Sequence, residues 1–306
     1  MKRLILGIIL LAFVTPIFAA DVPAVTHPQK DVTDLQNISV TVKTPRSQGS
    51  GVMFTRDDTT FIWTAGHVAE GLRHARPLID PSSGTLRTIV EFKDAQVVQE
   101  FTENGRRIGE MKFDARVVKY SDADHGEDLA ILEIRKKNFT NLTTVFYLEE
   151  TIPPIGTDLL HVGSLLGQFG SNSLTTGIVS QIGRTLELGN SDVIFDQTTV
   201  TAFPGSSGGG VFLKSDYRYM GMLVRGAGEQ FNFIVPARRI KDWATKTNTL
   251  WAIDPSVALP DTAARAKIVV EDSGVVFTAA DKAANSPKHK FFLLEIKPDP
   301  LSRLFK

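Results

Sequence analysis

The chain has 306 residues, with 34 lysines plus arginines balanced by 34 aspartates plus glutamates, and no cysteine. A neutral balance leaves no global charge to attract nucleic acid or anionic lipid. The lack of cysteine excludes a thiol nucleophile, thiolate zinc sites, cysteine lipidation and disulfide support, so chemistry must come from oxygen and nitrogen and stability from the core.

Residues 1–20 have the order of an export signal: Lys2 and Arg3, an uncharged apolar run, then Phe18, Ala19 and Ala20 before Asp21. A cleaved signal peptide over 1–20 is expected, which places the body of the protein in the periplasm or outside the cell. Left uncut, residues 4–20 would form a membrane anchor at the lower limit of about 17 residues needed to span. After a proline-containing lead over 22–29 come short runs with period-two alternation. They fall at 38–42, 51–54, 61–64, 89–92, 115–118, 129–134, 159–162, 177–182, 193–197, 210–213, 220–224 and 231–235. About a dozen short strands separated by Gly, Pro, Asn and Asp predict an all-β chain of barrels or sandwiches. One segment, 236–246, reads as a helix, with proline in its first turn and Ile240, Trp243 and Ala244 on one face. The remainder, 248–306, is loose, with only 267–270 and 291–296 strand-like. It is expected as an extension that packs on the main domain or stays partly disordered.

Three motifs stand in order. Thr64-Ala65-Gly66-His67 ends a strand, Glu127-Asp128-Leu129 begins one, and Gly205-Ser206-Ser207-Gly208-Gly209 is a glycine-rich turn between two strands. A serine hydroxyl is a weak nucleophile until a base removes its proton, and histidine, with an ordinary pKa of about 6.5, suits that role near neutrality. A carboxylate on the other ring nitrogen fixes the tautomer and stabilises the imidazolium that forms. Glycines around the serine let the backbone turn sharply and aim the amides of Gly205 and Ser207 at one point, an oxyanion hole. Singly, each motif has a bland explanation: an exposed histidine, a turn aspartate, a flexible linker. Together they predict a catalytic triad of His67, Asp128 and Ser207 that needs no metal and no cofactor.

At these residues the sequence resembles the chymotrypsin-fold, trypsin-like serine proteases, and within them the HtrA (Deg) branch. Gly163-Ser164-Leu165-Leu166-Gly167, Thr176-Gly177-Ile178-Val179-Ser180 and Phe233-Ile234-Val235-Pro236 carry the second likeness. The resemblance covers about residues 48–246 and departs in two ways. The tail is too short and irregular for a PDZ domain, and the charged segment 72–109 reads as an insertion, a loop or hairpin at the edge of the first barrel. The family implies a protease domain over 21–247 built from two six-stranded antiparallel β-barrels with a C-terminal helix. His67 and Asp128 would come from the first barrel and Ser207 from the second. It further implies that Thr201, Ala202, Val224, Arg225 and Gly226 bind substrate. None of these is acidic, which disfavours cleavage after lysine or arginine. Arg225 would suit an acidic substrate residue, but it is read first as a solvated arginine at the rim.

The expected function is an exported serine endopeptidase acting on protein or peptide substrates, with a homo-oligomer as an extension of the likeness. Two other readings compete. One is a non-cleaving or latent protease-fold module that captures peptides by strand addition. The other is a secreted glutamyl endopeptidase, suggested by His125-Gly126-Glu127-Asp128-Leu129-Ala130-Ile131. His27, His74, His125, His161 and His289 are read as surface or satisfied core residues rather than metal ligands.

Overall fold

A short amphipathic strand cannot bury its apolar face alone, and a closed barrel both covers that face and removes the sheet edges. The computed structural model, which describes residues 31–272 apart from 104–105, 189–190 and 227–229, shows this solution twice. In chain order the first half contains α1 (Val32–Asn37), β1 (Ser39–Lys43), β2 (Gln48–Arg56), β3 (Thr59–Ala65), α2 (Gly66–Ala69), β4 (Arg73–Ile79), β5 (Leu86–Phe92), β6 (Ala95–Glu103), β7 (Arg106–Ser121) and β8 (Leu129–Ile134). The second half contains β9 (Asp158–Leu165), β10 (Gly170–Leu188), β11 (Ser191–Thr198), β12 (Gly210–Leu213), β13 (Tyr219–Gly226), β14 (Asn232–Pro236), α3 (Ala237–Lys246) and α4 (Thr262–Ala266). One closed barrel has the order β1-β2-β3-β8-β7-β6, and the other β10-β11-β14-β13-β12-β9. All the paired strands are antiparallel. No helix among the described residues is long and apolar enough to cross a membrane.

Strands β3 and β8 are buried at every position, so both of their faces are covered. The barrel interior takes one face. The other is sealed by α3 and the chain after it, with Trp63 as the meeting point. Its ring lies edge-on to Trp243 of α3 at 5.9 Å and to Phe146 of the inter-barrel linker at 5.8 Å. Its indole N–H donates to the Ala252 carbonyl at 2.8 Å, which satisfies the one polar atom this burial would otherwise strand.

Several expectations change. The segment 72–109 is only half insertion. Residues 73–92 form an exposed hairpin, β4 with β5, but β6 is a barrel strand paired with β1 and β7. Its period was masked because Gln99 and Glu100 are buried polar residues. Gln99 donates to the Asn37 carbonyl at 3.0 Å, and Glu100 pairs with Arg107 at 3.0 Å. Helix α1 was not foreseen, although Asp31 caps it by accepting from the amides of Thr33 and Asp34. Pro236 is the residue before α3 rather than part of its first turn. Residues 267–270 form no strand; the Val269 and Val270 carbonyls instead accept from Lys119 Nζ and the Tyr120 amide. The expected strand 291–296 and the signal segment lie outside the described residues.

The described part of the extension is thus fixed to the first barrel. Its most buried charged contact is Arg265, 3% exposed, which bonds Glu133 of β8 at 3.2 Å while Arg116 bonds the same carboxylate at 2.6 Å. Burial alone would raise the Glu133 carboxyl, but the Arg265 hydrogen bond and the charges of Arg116 and Arg265 outweigh it and hold the group below the usual carboxylate range. A depressed folded value means that this stabilisation is present above the unfolded value and is lost as pH falls through the folded one. Arg265→Ala is therefore expected to lower stability by about 3 kcal/mol at neutral pH, because it leaves a half-paired buried carboxylate. The loss should shrink in acid. Urea midpoints from pH 7 down to about pH 2 check this, and a loss that stays constant over the whole range would show that it comes from packing rather than from the ion pair.

Candidate active site

His67 sits in α2, one short turn past the end of β3. That turn is possible because of Gly66, where a Cβ would lie 2.2 Å from the Ser121 carbonyl oxygen and 3.1 Å from the Asp128 backbone. The close approach sets His67 directly over Asp128. The His67 amide donates to Asp128 Oδ1 at 2.9 Å, and Nδ1 lies 3.0 Å from Oδ1 and 3.1 Å from Oδ2. A carboxylate accepts only, so Nδ1 carries the proton and Nε2 presents its lone pair. Asp128 is fully buried and holds φ +56°, left-handed backbone that aspartate adopts more readily than most residues other than glycine. Burial alone would raise its carboxyl. The hydrogen bonds and charge of His67, with Arg225 beyond, outweigh that and hold it below the usual range.

Ser207 comes from the second barrel, in the turn between Phe203 and β12. Its carbonyl accepts from the Ser50 amide at 2.7 Å, and the following Gly208 packs so tightly that a Cβ would lie 2.2 Å from the Ser50 carbonyl oxygen and 3.0 Å from the Ala65 nitrogen. The serine turn therefore rests on β2 and on the end of β3, immediately before His67. Three amides of the turn are occupied: Ser206 donates to Phe203, Gly208 to Leu223 and Gly209 to Ser206. Among the described hydrogen bonds the amides of Gly205 and Ser207 have no acceptor. Gly205, at φ +97°, supplies the bend, with its carbonyl held by Ser50 Oγ at 2.7 Å. The Ser207 hydroxyl lies 3.5 Å from the Val224 carbonyl oxygen and makes no described hydrogen bond to His67.

The five residues matched to substrate binding divide. Val224 and Gly226 lie on β13 beside the serine turn, and Thr201 and Ala202 on the segment leading into it. Arg225 departs from its expectation. The pairing of β13 with β14 has a register shift between Leu223 and Arg225, and the Arg225 side chain is 27% exposed and bonded to protein rather than free at the rim. It reaches the first barrel and donates from Nη2 to the Ala123 carbonyl at 2.9 Å.

One supporting residue was missed, and one expected core residue proves to support the turn. Ser50 ties three segments together: its hydroxyl holds Gly205 and accepts from the Ser164 amide at 2.7 Å, while its carbonyl accepts from Thr64 Oγ1. The compact Gly49-Ser50-Gly51 run was the available signal, since a Cβ at Gly49 would lie 2.4 Å from Val68. His161 is wholly buried behind the turn, 3.0 Å from the Gly210 carbonyl oxygen through Nδ1, and burial pushes it down to about 4. It is a core residue, but only one of its nitrogens is satisfied. No cluster of potential metal ligands occurs among the described residues.

Two closed barrels, one bearing a histidine over a buried aspartate and the other a serine in a glycine-rich turn, define the architecture of the chymotrypsin-like serine endopeptidases. The chain matches the trypsin-like peptidase domain family over residues 49–222, more than half of its length, and belongs to that family. The Serine protease Do-like HtrB of Bacillus subtilis (strain 168) is 28% identical over 165 residues, which are 52% of this chain and 29% of that protein. The HtrA-like resemblance agrees with this match, although the chain spans under a third of that relative's length. An inactive form of Rv3671c from M. tuberculosis H37Rv shares the fold, with 16% identity and a TM-score of 0.51 over 73% of this chain and 92% of that one.

Proposed function

We propose that the protein is an exported serine endopeptidase that cleaves protein substrates through His67, Asp128 and Ser207. The observation that carries this reading is the pairing of the Ser207 turn, with two unoccupied amides, against a histidine whose Nδ1–H is committed to a buried carboxylate. In the reaction His67 Nε2 takes the Ser207 proton as Oγ attacks the peptide carbonyl carbon. The carbonyl electrons move onto oxygen, where the Gly205 and Ser207 amides receive the charge. His67 then gives its proton to the leaving amine, the C–N bond breaks and an acyl-enzyme remains. A water repeats the sequence, giving a proton to His67 and releasing the acid, and Ser207 is restored. Export rests on the basic and apolar order of residues 1–20.

The 3.5 Å contact of the Ser207 hydroxyl with Val224 favours a second reading, a latent protease whose serine swings to His67 only when substrate binds. The test is cleavage of fluorescently labelled casein, with an organophosphate probe followed by mass spectrometry. Cutting, together with an adduct on Ser207, is the expected result. An adduct that forms only when casein is present favours the latent form. Neither adduct nor cutting in a folded preparation overturns the active reading.

A further inference from the structure

Asp128 ends a loop of the first barrel, yet the second barrel grips that loop at two points. Arg239 of α3 bonds the Glu127 carboxylate through Nε at 2.5 Å and the Glu127 carbonyl through Nη2 at 3.1 Å. Arg225 of β13 bonds the Ala123 carbonyl, and the same Nη2 stands 3.9 Å from Asp128 Oδ2. Its Nε is buried and has no partner among the described residues. The side chain keeps about a quarter of its surface exposed (27%), but a buried donor left unmet costs free energy that a fully solvated arginine would not incur. Something must hold it there. Among the described residues the buried negative charge within its reach is the carboxylate under His67.

We propose that Arg225 is a positioning residue for the reaction, holding Asp128 against His67 from across the gap between the barrels. The proposal rests on the triad reading above. Residues 224 and 225 then serve both ends of the triad: the Val224 carbonyl faces Ser207, and the next side chain braces Asp128. Among the described residues the charged and titratable groups near that carboxylate are His67 from α2, Arg225 from β13 and Arg239 from α3, with Asp122, Asp124, His125 and Glu127 on its own loop.

The experiment compares wild type, Arg225→Met, Arg225→Lys and Ser207→Ala on a fluorogenic peptide taken from the casein fragments, with folding checked by circular dichroism. Arg225→Met is expected to lower kcat about 10–100-fold with KM within about twofold, the scale of a misplaced catalytic group. The acid limb of kcat/KM, which reports the histidine–aspartate pair as a unit, should move to higher pH because a cation favouring the ionised carboxylate is gone. Arg225→Lys keeps the charge and should recover the acid limb while only part of kcat returns. Should the methionine variant fail to fold, the lysine variant alone decides, through a lowered kcat with an unmoved acid limb. A raised KM at unchanged kcat would instead put Arg225 on the substrate, and wild-type kinetics throughout would make it idle; either overturns the proposal. If wild type resembles Ser207→Ala and takes no organophosphate, the triad reading itself falls, which is a different result from an active wild type with indifferent Arg225 variants.

Discussion

Ser207→Ala is expected to lower kcat toward a cleaved peptide by about a million-fold, and Asp128→Asn by about ten-thousandfold. The first removes the atom that forms the acyl bond, so only binding and the oxyanion donors remain. The second preserves shape in a fully buried site, and the fold should survive because the amide oxygen can still accept from the His67 backbone N–H. What changes is the proton. An asparagine side chain can offer N–H to Nδ1, which moves the imidazole proton to Nε2, the nitrogen that must accept from Ser207. A base that already carries its proton cannot take another. The check is single-turnover kinetics with the concentration of reactive sites fixed by organophosphate titration. An Asp128→Asn variant within tenfold of wild type would show that the 3.0 Å contact with His67 does not set the tautomer.

The parts of the fold that could be read in the sequence are those where burial and apolar residues coincide. The near-continuous runs of β3 and β8 announce strands covered on both faces, and they flank the histidine and the aspartate, so the two motifs were legible along with their strands. Strand β6 was not, because Gln99 and Glu100 occupy buried positions and are satisfied only by partners far along the chain or across the β6–β7 hairpin. Periodicity assumes that buried means apolar, and here specific bonds break that link. The direction of Arg225 fails for another reason. Alternation would send it to one face, but the register shift between Leu223 and Arg225 exists only in the pairing with β14, and a single strand read alone carries no trace of its partner's register. Ser50 illustrates the same limit: a serine between glycines reads as a turn or a weak strand, and its hold on Gly205, Ser164 and Thr64 emerges only when the two barrels meet.

Gly205→Ala should reduce kcat by about 100–1,000-fold while leaving KM and the overall fold nearly as they are. The argument starts from conformation. Gly205 holds φ +97°, and a Cβ there would lie 2.3 Å from the Ser164 carbonyl oxygen and 2.6 Å from the Gly167 nitrogen. Both obstacles are backbone, so the loop must shift rather than a side chain rotate. The shift displaces the Gly205 amide, one of the two donors assigned to the developing oxyanion, and removing one such donor costs that much in other acyl-transfer enzymes. Strain by itself is separable from this effect. Gly84, on the exposed hairpin, also has positive φ, at +67°, but a Cβ there would meet nothing within 4 Å. Gly84→Ala should therefore cost about 1–2 kcal/mol of local backbone strain without touching turnover. Gly208→Ala offers the complementary case, because its amide already donates to Leu223 while its Cβ would strike the Ser50 carbonyl oxygen. Its loss should fall on the seating of the Ser207 turn, seen as a lower melting temperature and slower organophosphate labelling together. If Gly205→Ala kept wild-type labelling and turnover, the Gly205 amide would not be a donor to the transition state, and the charge would have to be received by Ser207 and other groups.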